Sequence, residues 1–250
     1  MALGLLLACG AGLHALPERP VTDPSLLLAR MSERKAALGP VFVSARVENY
    51  SAEGVAKGRI TMLLDPTGRI RVDAWSPSDS LLAALYADRN FFTYFERGAP
   101  ECITGGPCRA NLDRVLPLGL DLLDAIAALQ GFPPERPAAS AWTIAFDRRV
   151  GAYRMTSMAA SGGTQSIWVR EDGVPVRAEY SDAAGRRYRM ECSDIRNGRP
   201  WQIRLVDDAG KRDVTFRFRS LEAADLPVEE WVVTCPDGLP INKLKCEAPQ

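Results

Sequence analysis

The chain has 250 residues, 46% of them hydrophobic, with 31 basic and 31 acidic side chains. That is enough apolar material for a packed core in one large β domain or two small ones. The zero formal charge provides no net field of the kind that draws nucleic acid to a basic protein, so no nucleic-acid partner is expected.

Residues 1–8 are mostly apolar and lead to Leu6-Leu7-Ala8-Cys9, which reads as a bacterial lipobox: apolar residues, a small one, then the cysteine that carries lipid. Residues 1–8 are accordingly expected to be a lipoprotein signal peptide and Cys9 the lipidated residue. The stretch is too short to span a bilayer, so lipid would be the membrane anchor. A chance apolar leader containing one cysteine is the plainer reading. Residues 9–23 carry Gly, Pro and small side chains without a period and predict a flexible tether, with a folded domain over 24–250.

Asp23 precedes an amphipathic stretch with Leu26, Leu27 and Met31, closed by Gly39-Pro40; it predicts a short capped helix. The period then changes to two. Val41, Val43, Ala45 and Val47 alternate with polar residues. So do Ile60, Met62 and Leu64, and, after the turn Asp65-Pro66-Thr67-Gly68, Ile70, Val72 and Ala74. Two more strands are expected on either side of Asp88-Arg89-Asn90.

Cys102 and Cys108 flank a turn-rich loop, and Cys235 and Cys246 bracket another. The expected pairing is two local disulfides, Cys102 with Cys108 and Cys235 with Cys246, which suits an oxidising envelope compartment; other pairings stay open. Cys192 shares the parity of Met190 in a strand and is expected as a buried free thiol. Neither cysteine pair has zinc-ligand spacing and no histidine is near, so no metal site is expected.

Residues 111–131 are the strongest helix candidate. Leu122, Leu123, Ile126 and Leu129 have the spacing of one apolar helix face. Asp121 can cap the start, and Gly131 followed by Phe132-Pro133-Pro134 ends it. Pro117 divides the segment into a short turn over 112–116 and a main helix. Such a helix is either a plug in a core or a lid over an apolar cavity.

After a Pro/Ala-rich linker come seven further alternating runs, separated by turns such as Glu171-Asp172-Gly173 and Asn197-Gly198, in the manner of an antiparallel meander. Ile144, Phe146, Ile167, Val169, Ala178, Ile203, Leu205, Phe216 and Phe218 fall on one face. Arg154, Arg177, Glu179, Arg187, Arg189, Arg204 and Arg217 fall on the other, which reads as solvated. A two-sheet sandwich shows the same parity. A single curved sheet around the mid-chain helix also fits, and gives that helix a place.

His14 is the only histidine and lies in the tether, which removes Ser-His and Cys-His catalysis from the folded part. There is no nucleophile elbow and no phosphate-binding P-loop. No enzyme activity and no cofactor are expected.

The order of elements resembles the lipoprotein-localisation factors, the LolA/LolB-like superfamily. The resemblance rests on GRITMLLDPTGRIRVDAWSP, SLLAALYADRNFFTYF, the interrupted helix LDRVLPLGLDLLDAIAALQGFPP and the closing VTFRFRSLEAADLPVEEWVVTCPDGLP. It implies a mainly β fold: a single curved antiparallel sheet forming an unclosed barrel of about eleven strands, with an N-terminal helix and a mid-chain helical lid. It further implies a cavity for acyl chains of a lipid or lipoprotein, and a periplasmic carrier protein as partner. With the lipobox, the lipidated receptor branch is the nearer one, on the outer membrane facing the periplasm. Ile60, Met62, Ile70, Val72, Phe91, Trp142, Ile144, Ile167 and Trp201, with Leu123 and Ile126, are the expected cavity lining. Each is equally readable as ordinary core. The alternative reading is a structural or assembly lipoprotein with a filled core that meets a protein partner through its surface.

Overall fold

The computed structural model describes residues 13–246 except 52, 53, 135, 186, 210 and 226. The expected signal peptide and Cys9 lie outside the described residues.

Helix α1 (Pro24–Ala36) starts where the sequence predicts: the Asp23 carboxylate accepts from the Ser25 N–H at 2.9 Å. Six strands follow, β1 (Val41–Ser51), β2 (Gly54–Asp65), β3 (Arg69–Trp75), β4 (Leu81–Ala87), β5 (Phe92–Glu96) and β6 (Cys102–Gly105). Helices α2 (Arg109–Val115) and α3 (Leu122–Leu129) are parted at Pro117, as expected. Strands β7 (Thr143–Asp147), β8 (Ala152–Met158), β9 (Thr164–Val169), β10 (Pro175–Ser181), β11 (Arg187–Arg196), β12 (Arg199–Asp207) and β13 (Arg212–Ala223) form a meander, and β14 (Ile241–Leu244) follows later in the chain.

All the strands belong to one sheet in the order β14-β6-β5-β4-β3-β2-β1-β13-β12-β11-β10-β9-β8-β7. The two halves join where β13 returns to lie antiparallel against β1, with Val43 opposite Leu221 and Val47 opposite Phe216. A register shift between Ser44 and Ala45 bends that seam. The outermost strands, β14 and β7, do not pair with each other, so the curved sheet stays open. The single curved, unclosed sheet is therefore the architecture present, and the sandwich is not.

Period-two alternation puts Val43, Met62, Ile70, Met155, Met190, Ile203 and Phe216 on the inner face, where they form one core with α1 and α3. The outer face differs between halves. Over β8–β13 it is charged, as parity predicts. Over β1–β5 it carries an apolar patch: Phe42, Leu63, Ala84, Tyr86 and Phe95 form a second cluster, covered by Trp231 and Val233 from the segment after β13. Arg69 lies over the Trp231 ring at 5.1 Å, and Arg71 donates to the Glu230 carbonyl at 2.7 Å.

Beyond the expected strands the sheet contains β6 and β14. They are parallel, Ile241 opposite Cys102 and Leu244 opposite Gly105. Both are short, and their pairing needs two segments far apart in the chain, so neither carries an alternating signature of its own.

The local disulfide pairing is corrected by the structure. Cys102 bonds Cys235 and Cys108 bonds Cys246, each with Cα atoms 5.9 Å apart. The reason is strand geometry. Cys102 opens β6 and Cys108 follows it, while β14 lies between Cys235 and Cys246. Extended chain advances about 3.3 Å per residue, and a disulfide requires Cα atoms within about 7 Å. The members of each local pair are thus held apart, and the cross-pairs sit at the two ends of the β6–β14 ladder. Among the described residues Cys192 is the free, buried cysteine, and burial pushes its thiol pKa up.

Candidate functional site

Helix α3 occupies the inner face of the sheet. The Asp121 carboxylate caps it, accepting from the Asp124 N–H at 2.9 Å. Every residue from Leu122 to Leu129 is buried except Leu123, which is 46% exposed. A helix apolar nearly all round is one that must be enclosed. At its end Gly131 has φ +90°, and a Cβ there would stand 2.5 Å from the Pro200 ring, so the chain turns off the helix hard against β12 only because this residue is glycine. Before the helix, Asp113 of α2 accepts from the Gly119 N–H at 2.9 Å and from Arg212 at 2.5 Å, fixing the connecting segment to the start of β13.

One polar group of α3 faces inward. Asp124, 8% exposed, accepts from Arg136 Nη1 at 2.6 Å. Burial pulls the Arg136 guanidinium pKa down, but the hydrogen bond and charge of Asp124 prevail and raise it. Arg136 also lies over the Tyr180 ring at 5.5 Å, and its carbonyl accepts from Gln165 Nε2 at 3.1 Å. The Tyr180 hydroxyl donates to the Pro134 carbonyl at 2.6 Å. The segment after α3 is thus fastened to β9 and β10 by polar contacts. Beside them the Tyr188 hydroxyl is buried without a hydrogen-bond partner, and desolvation drives its pKa well up.

A groove of about 320 Å³ runs between α1, α3 and two hairpin turns. Leu38, Leu123, Ile126 and Ala127 line it with apolar surface, and Lys35, Arg89 and Arg136 stand beside them together with the acids Asp121 and Asp124. Gln130 lies between this groove and a smaller cavity of about 160 Å³ against the β11–β12 turn. The Gln130 Oε1 is buried and accepts no hydrogen bond, so a ligand donor or a water would be stabilised there. The arrangement suits an amphiphile, with apolar matter against α3 and polar atoms at the rim.

The expected lining residues fall in different surroundings. Ile60, Met62, Ile70, Ile126 and Ile167 are fully buried in the inner core, packed together with α3. Val72, Trp142, Ile144 and Trp201 are half-buried against that core; Trp201 carries Arg196 over its ring at 4.7 Å. Leu123 and Ile126 line the groove. Phe91 is a correction. It is 40% exposed at the β4–β5 turn and rests on Tyr86, with ring centroids 5.4 Å apart, on the outer side. Phe92 is the fully buried member of the core. In a strand a one-residue shift exchanges the faces, and the paired phenylalanines gave no way to choose between the two registers.

Sequence reasoning missed Lys35, Arg89, Gln130 and Arg136. Each stands in a helix end, turn or linker, where no periodicity marks a residue as facing a site. Among the described residues no helix is long and apolar enough to cross a membrane.

No protein-family model matches the chain, and no curated protein matches it in sequence. Solved structures do match in shape. A LolA superfamily protein of Nitrosomonas europaea, 14% identical, superposes with a TM-score of 0.53 over 86% of this chain and 99% of that one. An outer membrane lipoprotein-sorting protein domain of Vibrio parahaemolyticus, 9% identical, gives 0.56 over 82% and 94%. A DUF1329 family protein of Desulfovibrio piger, 12% identical, gives 0.54 over 84% and 98%. With its one curved, unclosed sheet and its helices on the inner face, this chain has the LolA-like fold.

Proposed function

We propose that the chain is a non-enzymatic, lipid-anchored protein of the bacterial envelope that binds the acyl chains of a lipid or lipoprotein beneath α3. The observation that carries this reading is α3 itself, an almost wholly apolar helix that fills the inner face of an open sheet while its following segment is held by polar contacts. Displacing it would bare the bed formed by Ile60, Met62, Ile70 and Ile167. Losing the buried side chains of α3 would cost on the order of 10 kcal/mol. An acyl chain of about 14 carbons would return a similar amount, at roughly 0.8 kcal/mol per CH2. Such a near balance is what exchange between helix and ligand needs. Lys35, Arg89 and Arg136 would meet the polar end of the ligand at the groove.

The lipobox supports an anchor at Cys9, and with it a place on the outer membrane facing the periplasm. A periplasmic carrier handing over acylated cargo is the matching partner. Native mass spectrometry of gently purified protein tests the binding reading. An acylated molecule should co-purify and be lost when α3 is tethered shut by an engineered disulfide. Ligand-free protein that takes up no fatty acid or acylated peptide sinks the reading. For the anchor, Cys9→Ala should move the protein out of the membrane fraction, and undiminished retention refutes it.

The close packing of α3 favours a second reading, a structural or assembly lipoprotein whose core is permanently filled. Amide hydrogen exchange separates the two. Protection across 122–129 as high as that of β1 and β13 fits a permanent plug. Lower protection that rises with added acyl ligand fits a displaceable helix.

A further inference from the structure

We infer that the outer face of the second half-sheet carries a phosphate-binding pocket, separate from the inner site. The charged face of β8–β13 and β1 is a ladder in which most groups are answered. Glu48 pairs with Arg217 at 2.8 Å and Lys57 at 3.5 Å. Asp213 pairs with Arg204 at 2.5 Å, Arg204 with Glu191 at 3.6 Å, and Arg177 with Glu179. Uncompensated guanidinium groups coincide with a cavity of about 300 Å³ at the end of the sheet where β8–β9 and β10–β11 turn.

Three guanidinium groups line that cavity. Among the described residues Arg187 forms no ion pair and makes no side-chain hydrogen bond. Among the described residues Arg154 has no carboxylate within ion-pair distance; its Nη2 donates to Ser166 Oγ at 3.2 Å and its guanidinium lies over the Trp168 ring at 5.1 Å. Asp147, bonded to the Trp168 Nε1–H at 2.8 Å, is the acid that feels the Arg154 charge. Arg189 has a buried Nε with no hydrogen-bond partner, 3.4 Å from Glu191. Buried N–H donors left unmade are costly, and a fixed oxyanion would answer this one.

Strand register is what assembles the pocket. Ser181 stands opposite both Thr164 and Arg187, and Glu179 opposite both Ser166 and Arg189, so hydroxyls, one carboxylate and two guanidiniums share one face of three neighbouring strands. Two acids, Glu179 and Asp208, also line the cavity. Glu179 is neutralised by Arg177. Three cations with forked donors, hydroxyls beside them and incomplete compensation suit the oxygens of a phosphate group. The phosphate can be free or the headgroup of an envelope lipid.

Two arms distinguish the sources, each using the full chain with Cys9→Ala so that no anchor contributes. The first is calorimetric titration with inorganic phosphate at low salt, followed in parallel by tryptophan fluorescence, with Trp168→Phe assigning the optical signal. The second is flotation with phosphatidylcholine vesicles with and without phosphatidic acid. Saturable binding in the first arm alone indicates a free phosphate; binding to phosphatidic acid vesicles indicates a headgroup. In whichever arm binds, Arg154→Gln with Arg187→Gln should weaken affinity at least tenfold with an unchanged melting temperature, and Glu179→Gln should tighten it several-fold. Removing the same charge elsewhere, with Lys57→Gln and Arg217→Gln, should leave affinity within twofold. No saturable binding in either arm overturns the inference. So does an equal loss in the two charge-matched double variants, or a Glu179→Gln variant that binds no tighter.

Discussion

Arg136 donates to Asp124 at 2.6 Å, joining the linker after α3 to the one buried acid of that helix. The pair sits between an apolar helix and the tyrosine-bearing strands β10 and β11, so solvent screens it less than a surface ion pair. Replacing Arg136 with Gln removes that cation from a buried carboxylate. The expected loss is about 2 kcal/mol, the range for a hydrogen bond to a charged group. Equilibrium urea unfolding measures it. If α3 moves for ligand, the same variant should also bind and release a fluorescent fatty acid faster than the wild type. An unchanged midpoint would show that the pair does not hold the helix.

The two phenylalanines at the start of β5 give a direct check of strand register. Phe92 is fully buried in the inner core, whereas Phe91 is 40% exposed. Phe92→Ala should cost about 3–5 kcal/mol, as expected for emptying a core site. Phe91→Ala should cost less than about 1 kcal/mol, typical of an exposed position. Thermal melts of the two variants rank them, and equal losses would contradict the faces assigned here.

The disulfides join segments 133 and 138 residues apart in sequence. Cross-links that close such long loops restrict the unfolded chain strongly, by about 5 kcal/mol each in the chain-entropy account and less when the native state is strained. A non-reducing digest should release Cys102 linked to Cys235 and Cys108 linked to Cys246. Reduction should lower the melting temperature and expose Trp231, read as a red shift in fluorescence, because that side chain is fully buried only while the terminal segment lies across β2–β4. Cys235→Ser should reproduce the shift in part.

Acid should weaken the outer ladder in a defined window. The hydrogen bond from Arg204 holds the Asp213 carboxyl below its ordinary value, against the opposing effect of partial burial. A folded-state pKa that is depressed contributes stability above the unfolded value, about 3.9 for Asp, and that contribution is lost as pH falls through the folded value. Asp213→Asn should therefore be less stable than wild type at pH 7, by about 1 kcal/mol or less for so exposed a pair. The difference should close as pH falls through the folded value. Urea midpoints at pH 7 and along an acid series decide it; a constant difference would assign the effect to something other than this carboxylate.

The sequence by itself determined the local elements. Period-two alternation marked most strands, Asp23 and Asp121 marked the starts of α1 and α3, Pro117 marked the break before α3, and Cys192 was readable as buried from its parity with Met190. These are features set within a few residues, where backbone geometry and side-chain spacing suffice. The tertiary structure decided what depends on distance. It set the β1–β13 seam, the parallel β6–β14 pair, the crossed disulfides and the choice between Phe91 and Phe92. It also brought Arg136 to Asp124 and gathered Arg154, Arg187 and Arg189 around one cavity. In each case the partners come from different strands or loops. Which ones meet is fixed only when the curved sheet buries its apolar inner face around α3, a cooperative outcome of the whole chain that no local pattern encodes.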